Sequence, residues 1–274
     1  MSPETRMTDS MFGPKSDHAV ALAAAHAGGI VAKSFFRSDF GVREKKPGDP
    51  VTEADEAANK EIISVITRSR PSDVIISEEM PLPPERVNTE RTWIIDPIDG
   101  TQSFIDGIPE FAVSVALVSN QEPVAAAIFN PITNEFFDAT KGGGTRFNGE
   151  NAFVNETSAL AGLALGTSRT ELRQQLWSHL FPEAILKKVD AIAYKLALVA
   201  AGKLDAVIAL RPKNDWDIAA GDLLVREAGG LMTDTDGKRH RYNDEDILHP
   251  NLVASGASMH ATLLERLRSG NNKR

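Results

Sequence analysis

The chain has 274 residues and 29.6 kDa, with 42% hydrophobic and 25% charged residues, which suits one large globular domain or two small ones. A formal net charge of -8 at pH 7 works against a nucleic-acid backbone as partner, and the absence of cysteine excludes disulfides and thiolate metal sites. No apolar run approaches the ~18 residues of a membrane span, and the N-terminus lacks the apolar centre of a signal peptide, so a cytoplasmic protein is expected.

Residues 1–15, holding Pro3, Gly13 and Pro14, read as a flexible tail. An α+β half is expected over 16–155 and an α/β half over 156–274, the two sharing one active site. Residues 16–37 have the Ala-rich periodicity of a helix, and Gly28-Gly29 within it point to close packing. Residues 41–50 read as a basic loop. Thr52-Glu53-Ala54-Asp55 then resembles a capping box that opens a helix to about residue 67. A short strand over 73–77 runs into Glu78-Glu79.

Residues 92–95 form a β-branched, buried strand that ends in Asp96-Pro97-Ile98-Asp99-Gly100-Thr101. Pro97 cannot donate a ladder hydrogen bond and is expected to stop the strand. Two carboxylates flanking the Ile98 carbonyl suit a hard divalent cation such as Mg2+. Gly100 and Thr101 open a helical turn whose N–H groups would face an anion. A metal and a phosphate pocket on one loop imply phosphoryl chemistry.

Further along, 111–118 and 123–129 alternate as a hairpin, and 135–139 adds a strand. Lys141-Gly142-Gly143-Gly144 lacks the Walker spacing and reads as a turn. The second half reads as a strand over 160–166, helices over 170–179 and 191–201, a strand over 204–210 and a helix over 216–228 closed by Gly229-Gly230. Strands over 231–233 and 252–255 and a helix over 258–268 finish it. Asp217 lies in the first turn of its helix, where an acid also complements the helix dipole.

Trp93 to Thr101, Trp216-Asp217-Ile218-Ala219-Ala220-Gly221, Glu227-Ala228-Gly229-Gly230, Val51 to Asp55 and Ser77-Glu78-Glu79 together resemble the inositol monophosphatase family of Mg2+-dependent, lithium-sensitive phosphatases. The resemblance covers about residues 17–268. It implies a layered α-β-α-β-α sandwich (α+β / α/β), usually a homodimer, acting on a small phosphorylated substrate with no membrane or nucleic-acid partner. It also implies that Glu78, Asp96, Asp99, Asp217 and the Ile98 carbonyl hold two or three Mg2+ ions. Asp55 and Thr101 would orient the attacking water with Glu78 beside them, and Asp99, Gly100, Thr101, Lys195, Lys213 and Asp217 would bind substrate. The spacing of three between Asp96 and Asp99, with Pro97 after the first, disfavours the aspartyl-phosphate route of the haloacid dehalogenase phosphatases.

Inositol-specific members carry a glutamate several residues before the Trp-Asp pair, where this chain has Ala209-Leu210 and then Arg211-Pro212-Lys213-Asn214. They also carry Gly-Ser/Thr where this chain has Val189-Asp190-Ala191-Ile192. Tyr194-Lys195-Leu196-Ala197-Leu198-Val199-Ala200 is similar to a segment of the CysQ-type branch. The expected substrate is therefore a 3'(2'),5'-bisphosphate nucleotide, with Lys195, Arg211 and Lys213 meeting the second phosphate. Inositol 1-phosphate is the alternative, then histidinol phosphate or fructose 1,6-bisphosphate; a non-catalytic cation- or anion-binding module is the alternative of a different class.

Overall fold

The computed structural model describes residues 16–175 and 177–271, so the tail expected over 1–15 lies outside the described residues. In chain order, helix α1 (Asp17–Phe35) is followed by strands β1 (Val42–Lys46) and β2 (Asp49–Thr52), helix α2 (Glu53–Ser69) and strand β3 (Val74–Ser77). A 3-10 turn leads to β4 (Arg91–Asp99), the short helix α3 (Thr101–Ile105) and five strands, β5 (Ala112–Ser119), β6 (Glu122–Asn130), β7 (Glu135–Thr140), β8 (Gly144–Phe147) and β9 (Glu150–Ala152). Next come β10 (Ala164–Thr167), α4 (Arg169–Arg173), β11 (Ile185–Lys188), α5 (Ile192–Ala200) and β12 (Ala206–Ala209). The chain continues through β13 (Lys213–Asn214), α6 (Asp215–Glu227), β14 (Gly230–Thr233), β15 (Leu248–His249), β16 (Leu252–Gly256) and α7 (Ala257–Asn271).

Strands β3 to β9 form a seven-stranded sheet in sequential order, parallel only between β3 and β4. A five-stranded sheet has the order β11-β10-β12-β16-β14, with β11, β10 and β12 parallel and β16 antiparallel to both neighbours. Side-chain alternation along β4 decides what each face meets. Trp93 and Ile95 point to the layer of α1 and α2, packing with Val20, Ala24, Ile62 and Ile66. Ile94 points the other way, to α5 and α6, whose Leu196, Leu223 and Leu224 also meet Val207 and Ala254 of the smaller sheet. The far face of that sheet is covered by α7 and the segment after α4, with Met259, Leu263 and Trp177 against Leu165, Ile208 and Val253. The architecture is the expected α-β-α-β-α sandwich, with α5 and α6 as its middle layer.

Several local expectations change. Residues 42–52 form a hairpin instead of a loop. Every residue of β1 is exposed, so no apolar alternation marks it, and Gly48 (φ +79°) makes the turn. Pro97 does not end β4; it sits in an irregularity of the ladder between Asp96 and Asp99, where its missing N–H is not needed. The helix expected over 170–179 stops at Arg173, because Gln175 turns to φ +52°. The strand expected over 160–166 begins only at Ala164, and β8, β9 and β11 were not foreseen.

Candidate active site

Four segments deliver five acids. Asp96 and Asp99 lie on the irregular end of β4, and the Asp96 carboxylate accepts a hydrogen bond from the Ile98 N–H at 3.0 Å. Strand β3 runs parallel beside β4 and ends at Ser77 opposite Ile95, which brings Glu78 to the same edge. Asp55 closes the capping box at the start of α2, accepting from the Thr52 N–H at 2.8 Å and the Thr52 hydroxyl at 2.6 Å. Asp217 closes the corresponding box at the start of α6, accepting from the Asn214 N–H at 2.7 Å.

The Asp99 carboxylate accepts from the N–H groups of Ile192, Ala193 and Tyr194 at 3.1, 2.6 and 3.2 Å, so the first turn of α5 anchors it. Gly100 takes φ +93°, and a Cβ there would lie 2.9 Å from Ala191 Cβ and 3.0 Å from the Glu110 carbonyl oxygen. Only glycine fits that approach. The Thr101 hydroxyl lies 3.1 Å from the Ile98 carbonyl and 3.4 Å from Asp55 Oδ1. Its single proton can go to one of them at a time.

Electrostatics tie the acids into one cluster. Burial, followed by the charges of Glu78, Asp99, Asp217 and Asp55, pushes Asp96 well above the usual carboxylate range. Burial raises Asp55 to about 6 against the pull of Thr52, and Asp99 to about 6 against its three amide donors. Burial raises Asp217 to about 7, with Lys213 opposing and Asp99 and Glu78 adding to the rise. Among the described residues no three acidic or imidazole groups already close on one point as a cage. Lys45 of β1 meets Glu78 at 2.6 Å and Glu79 at 3.0 Å, an ammonium where the cluster draws positive charge. Hard oxygen donors, crowded, buried and in excess of the neighbouring cations, fit Mg2+.

Beside the cluster is a cleft of about 260 Å³. Of the expected residues, Asp99, Gly100, Lys195, Lys213 and Asp217 line it, together with Arg211. Asp55, Glu78, Asp96, Ile98 and Thr101 are not among its walls; Asp96 faces the charges of Asp99, Asp217, Glu78 and Asp55, and Thr101 lies between Asp55 and Ile98. Lys195 is wholly buried; burial lowers its pKa, against the charge of Glu171. Ser168, Thr170 and Glu171 also line the cleft and were missed. The capping-box spacing of Ser168 and Glu171 was their only signal in the sequence, and it marks a helix start wherever it occurs.

A model of the inositol monophosphatase family matches residues 15–271. The chain belongs to that family. It is 37% identical to Nus factor SuhB of Escherichia coli (strain K12) over 257 residues, covering 90% of this chain and 93% of that protein. The extragenic suppressor protein SuhB of Bartonella henselae superposes with a TM-score of 0.80 at 32% identity, covering 92% of this chain and 98% of that one. A Thermotoga maritima IMPase gives 0.80 at 30% identity, covering 94% and 98%. CysQ of Bacteroides thetaiotaomicron, a bacterial member of the inositol monophosphatase family, gives 0.74 at 26% identity, covering 89% and 98%. Among the described residues no helix is long and apolar enough to cross a membrane.

Proposed function

We propose that this member of the inositol monophosphatase family is a Mg2+-dependent phosphomonoesterase, and that its preferred substrate is a 3'(2'),5'-bisphosphate nucleotide. The observation that carries the first part is the meeting of Asp96, Asp99, Asp217, Glu78 and Asp55 in one electrostatic cluster beside a cleft containing lysines. Glu78, Asp96, Asp99, Asp217 and the Ile98 carbonyl would hold two or three Mg2+ ions. When bound, the ions neutralise phosphate oxygens and acidify water.

The protein's own part is positioning. The Thr101 hydroxyl donates a hydrogen bond to Asp55 and keeps its proton, which turns a lone pair toward the attacking water. Water adds to phosphorus, the ester P–O bond breaks, and the alcohol and inorganic phosphate leave. The first-turn amides of α5 hold Asp99 still while this happens.

Substrate preference rests on the cleft. Ala209 lines it where inositol-specific members carry glutamate, while Lys195, Arg211 and Lys213 offer three cations to a second phosphate. The test compares kcat/KM for 3'-phosphoadenosine 5'-phosphate and inositol 1-phosphate with Mg2+ present. A preference for the inositol ester overturns the substrate reading. Phosphate release that survives Asp96→Asn overturns the metal reading. Lithium sensitivity, a homodimer and a cytoplasmic location belong to the same proposal.

The curated relatives are named as factors, not as enzymes, and this favours a second reading in which the chain also serves as an accessory protein in an assembly. The net charge of -8 speaks only against direct contact with a phosphate backbone. Complementation of a deletion strain by Asp96→Asn separates the two roles, since a purely catalytic protein fails that test.

A further inference from the structure

A second cleft, of about 240 Å³, lies at the other end of β5 from Asp99. Asp99 pairs with Ala112 at one end of that strand, while the cleft begins at Asn120, beyond Ser119 at the other. Seven residues of strand separate the two ends by roughly 23 Å. Its walls come from the β5–β6 turn, from α6 and from the loop after β14, and include Arg226, Arg239, Arg241, His240 and Asp222.

The cleft is built and holds a buried imidazole nitrogen without a hydrogen bond. Tyr242 N–H donates to the Gln121 carbonyl at 3.1 Å and Arg241 Nε to Gln121 Oε1 at 2.7 Å, strapping the loop to the turn. Buried side-chain atoms are normally hydrogen-bonded. Here Asp222 Oδ1 and Arg226 Nε are buried and face each other, His240 Nε2 is buried without a hydrogen bond, and all three residues line this cleft. Asp222 is only 3% exposed. Its Oδ1 lies 3.1 Å from Arg226 Nε as a buried ion pair. The other Asp222 oxygen accepts from the Tyr242 hydroxyl at 3.0 Å.

Charge then names the ligand. Asp222 offsets Arg226, and Lys141 offsets Glu122 at the rim. Arg239 has no hydrogen bond or close ion pair among the described residues, though its charge faces Asp222 and Glu122, and Arg241 spends only Nε on Gln121. Burial and His249 hold the His240 imidazole down at about 4, so it enters as a neutral hydrogen-bonding group. A more open groove of about 400 Å³ shares Asn120 and Arg241 with the cleft and adds Val87, Thr89 and Asn243. It offers room for the remainder of a ligand, with an acid, Glu90, also on its wall.

We propose that this cleft is a second binding site, distinct from the carboxylate cluster, for a small phosphate-bearing anion gripped by Arg239 and Arg241. Guanidinium pairs match phosphate oxygens in a planar, two-point fashion, which suits a mono- or diphosphate group better than a carboxylate alone. The size of the enclosed part fits a small molecule.

The test is calorimetric titration of the full chain with inorganic pyrophosphate in excess EDTA. Without divalent ions the carboxylate cluster repels an anion. One site per chain is expected. Arg239→Ala should weaken it about tenfold and the double variant with Arg241→Ala about a hundredfold, each guanidinium contributing a charge-assisted bond. Lys195→Ala, in the first cleft, should leave it unchanged. Both arginines are exposed, and an unchanged thermal melt shows that the variants fold. No binding at millimolar pyrophosphate, equal binding by the double variant, or loss in Lys195→Ala each overturns the proposal.

Discussion

Thr101 and Asp55 stand 46 positions apart in the chain, yet the Thr101 hydroxyl lies 3.4 Å from Asp55 Oδ1. Asp55 uses its other oxygen to close the start of α2, so helix capping fixes the acid and the acid fixes the hydroxyl. Thr101→Val keeps the shape and removes the proton. We expect kcat to fall about a hundredfold or more with little change in KM or Tm. Asp55→Ala should add a stability loss of about 1 kcal/mol in urea melts because it also opens the capping box. Full kcat in Thr101→Val would remove the water-orienting role.

The raised acids make stability depend on pH in a definite direction. In the folded, metal-free chain burial raises Asp55 and Asp99 to about 6 and Asp217 to about 7, all above the ordinary aspartate value. Between pH 4 and 7 the folded state thus binds more protons than the unfolded one, and these groups lose stability as pH rises through that window. In EDTA, Tm should drop between pH 5 and pH 8. Millimolar Mg2+ should raise Tm at pH 8 more than at pH 5, by mass action on the ionised cluster. An identical Mg2+ shift at both values, or none in the parent chain, contradicts the metal assignment.

Lys195 tests substrate choice. It is buried in the cleft, and its charge faces Glu171, Asp99 and Asp190 as well as Lys213. Lys195→Met preserves length and apolar packing. For a bisphosphate nucleotide kcat/KM should fall about tenfold to a hundredfold, with a smaller fall for inositol 1-phosphate. Equal losses on both substrates would mean that Lys195 supports the fold of the site without reading the second phosphate.

Gly29 tests packing. A Cβ at Gly29 would come within 2.4 Å of the Phe129 ring, which also stacks on His26. Alanine favours helices by about 1 kcal/mol over glycine. Displacing a buried ring costs about 1–3 kcal/mol. We expect Gly29→Ala to be net destabilising, with a lower urea midpoint and an unchanged m-value.

What could be read from the sequence follows how locally each feature is encoded. Asp96, Asp99 and Thr101 share one loop, and Asp55 and Asp217 each mark a helix start, so their positions were legible before any fold was known. The layered architecture followed from the family motifs, and helix periodicity gave α1, α2, α5 and α6 to within a few residues. Lys45 was illegible because β1 is exposed along its whole length, and its meeting with Glu78 is a tertiary contact of the β1–β2 hairpin. Glu171 was illegible for the opposite reason: its cap was plain, but only tertiary packing places α4 against Lys195. Pro97 misled because proline ends most strands, and here the ladder skips a step where it sits.

The Asp99 carboxylate depends on three amides that arrive more than 90 residues later in the chain. A folding intermediate with its meander formed but α5 undocked leaves that carboxylate without its anchor. Such a species is expected to be inert even while its circular dichroism looks nearly complete. During refolding, turnover should lag the spectroscopic signal, and on the ribosome the nascent chain should leave cellular phosphate esters untouched until α5 and α6 have emerged.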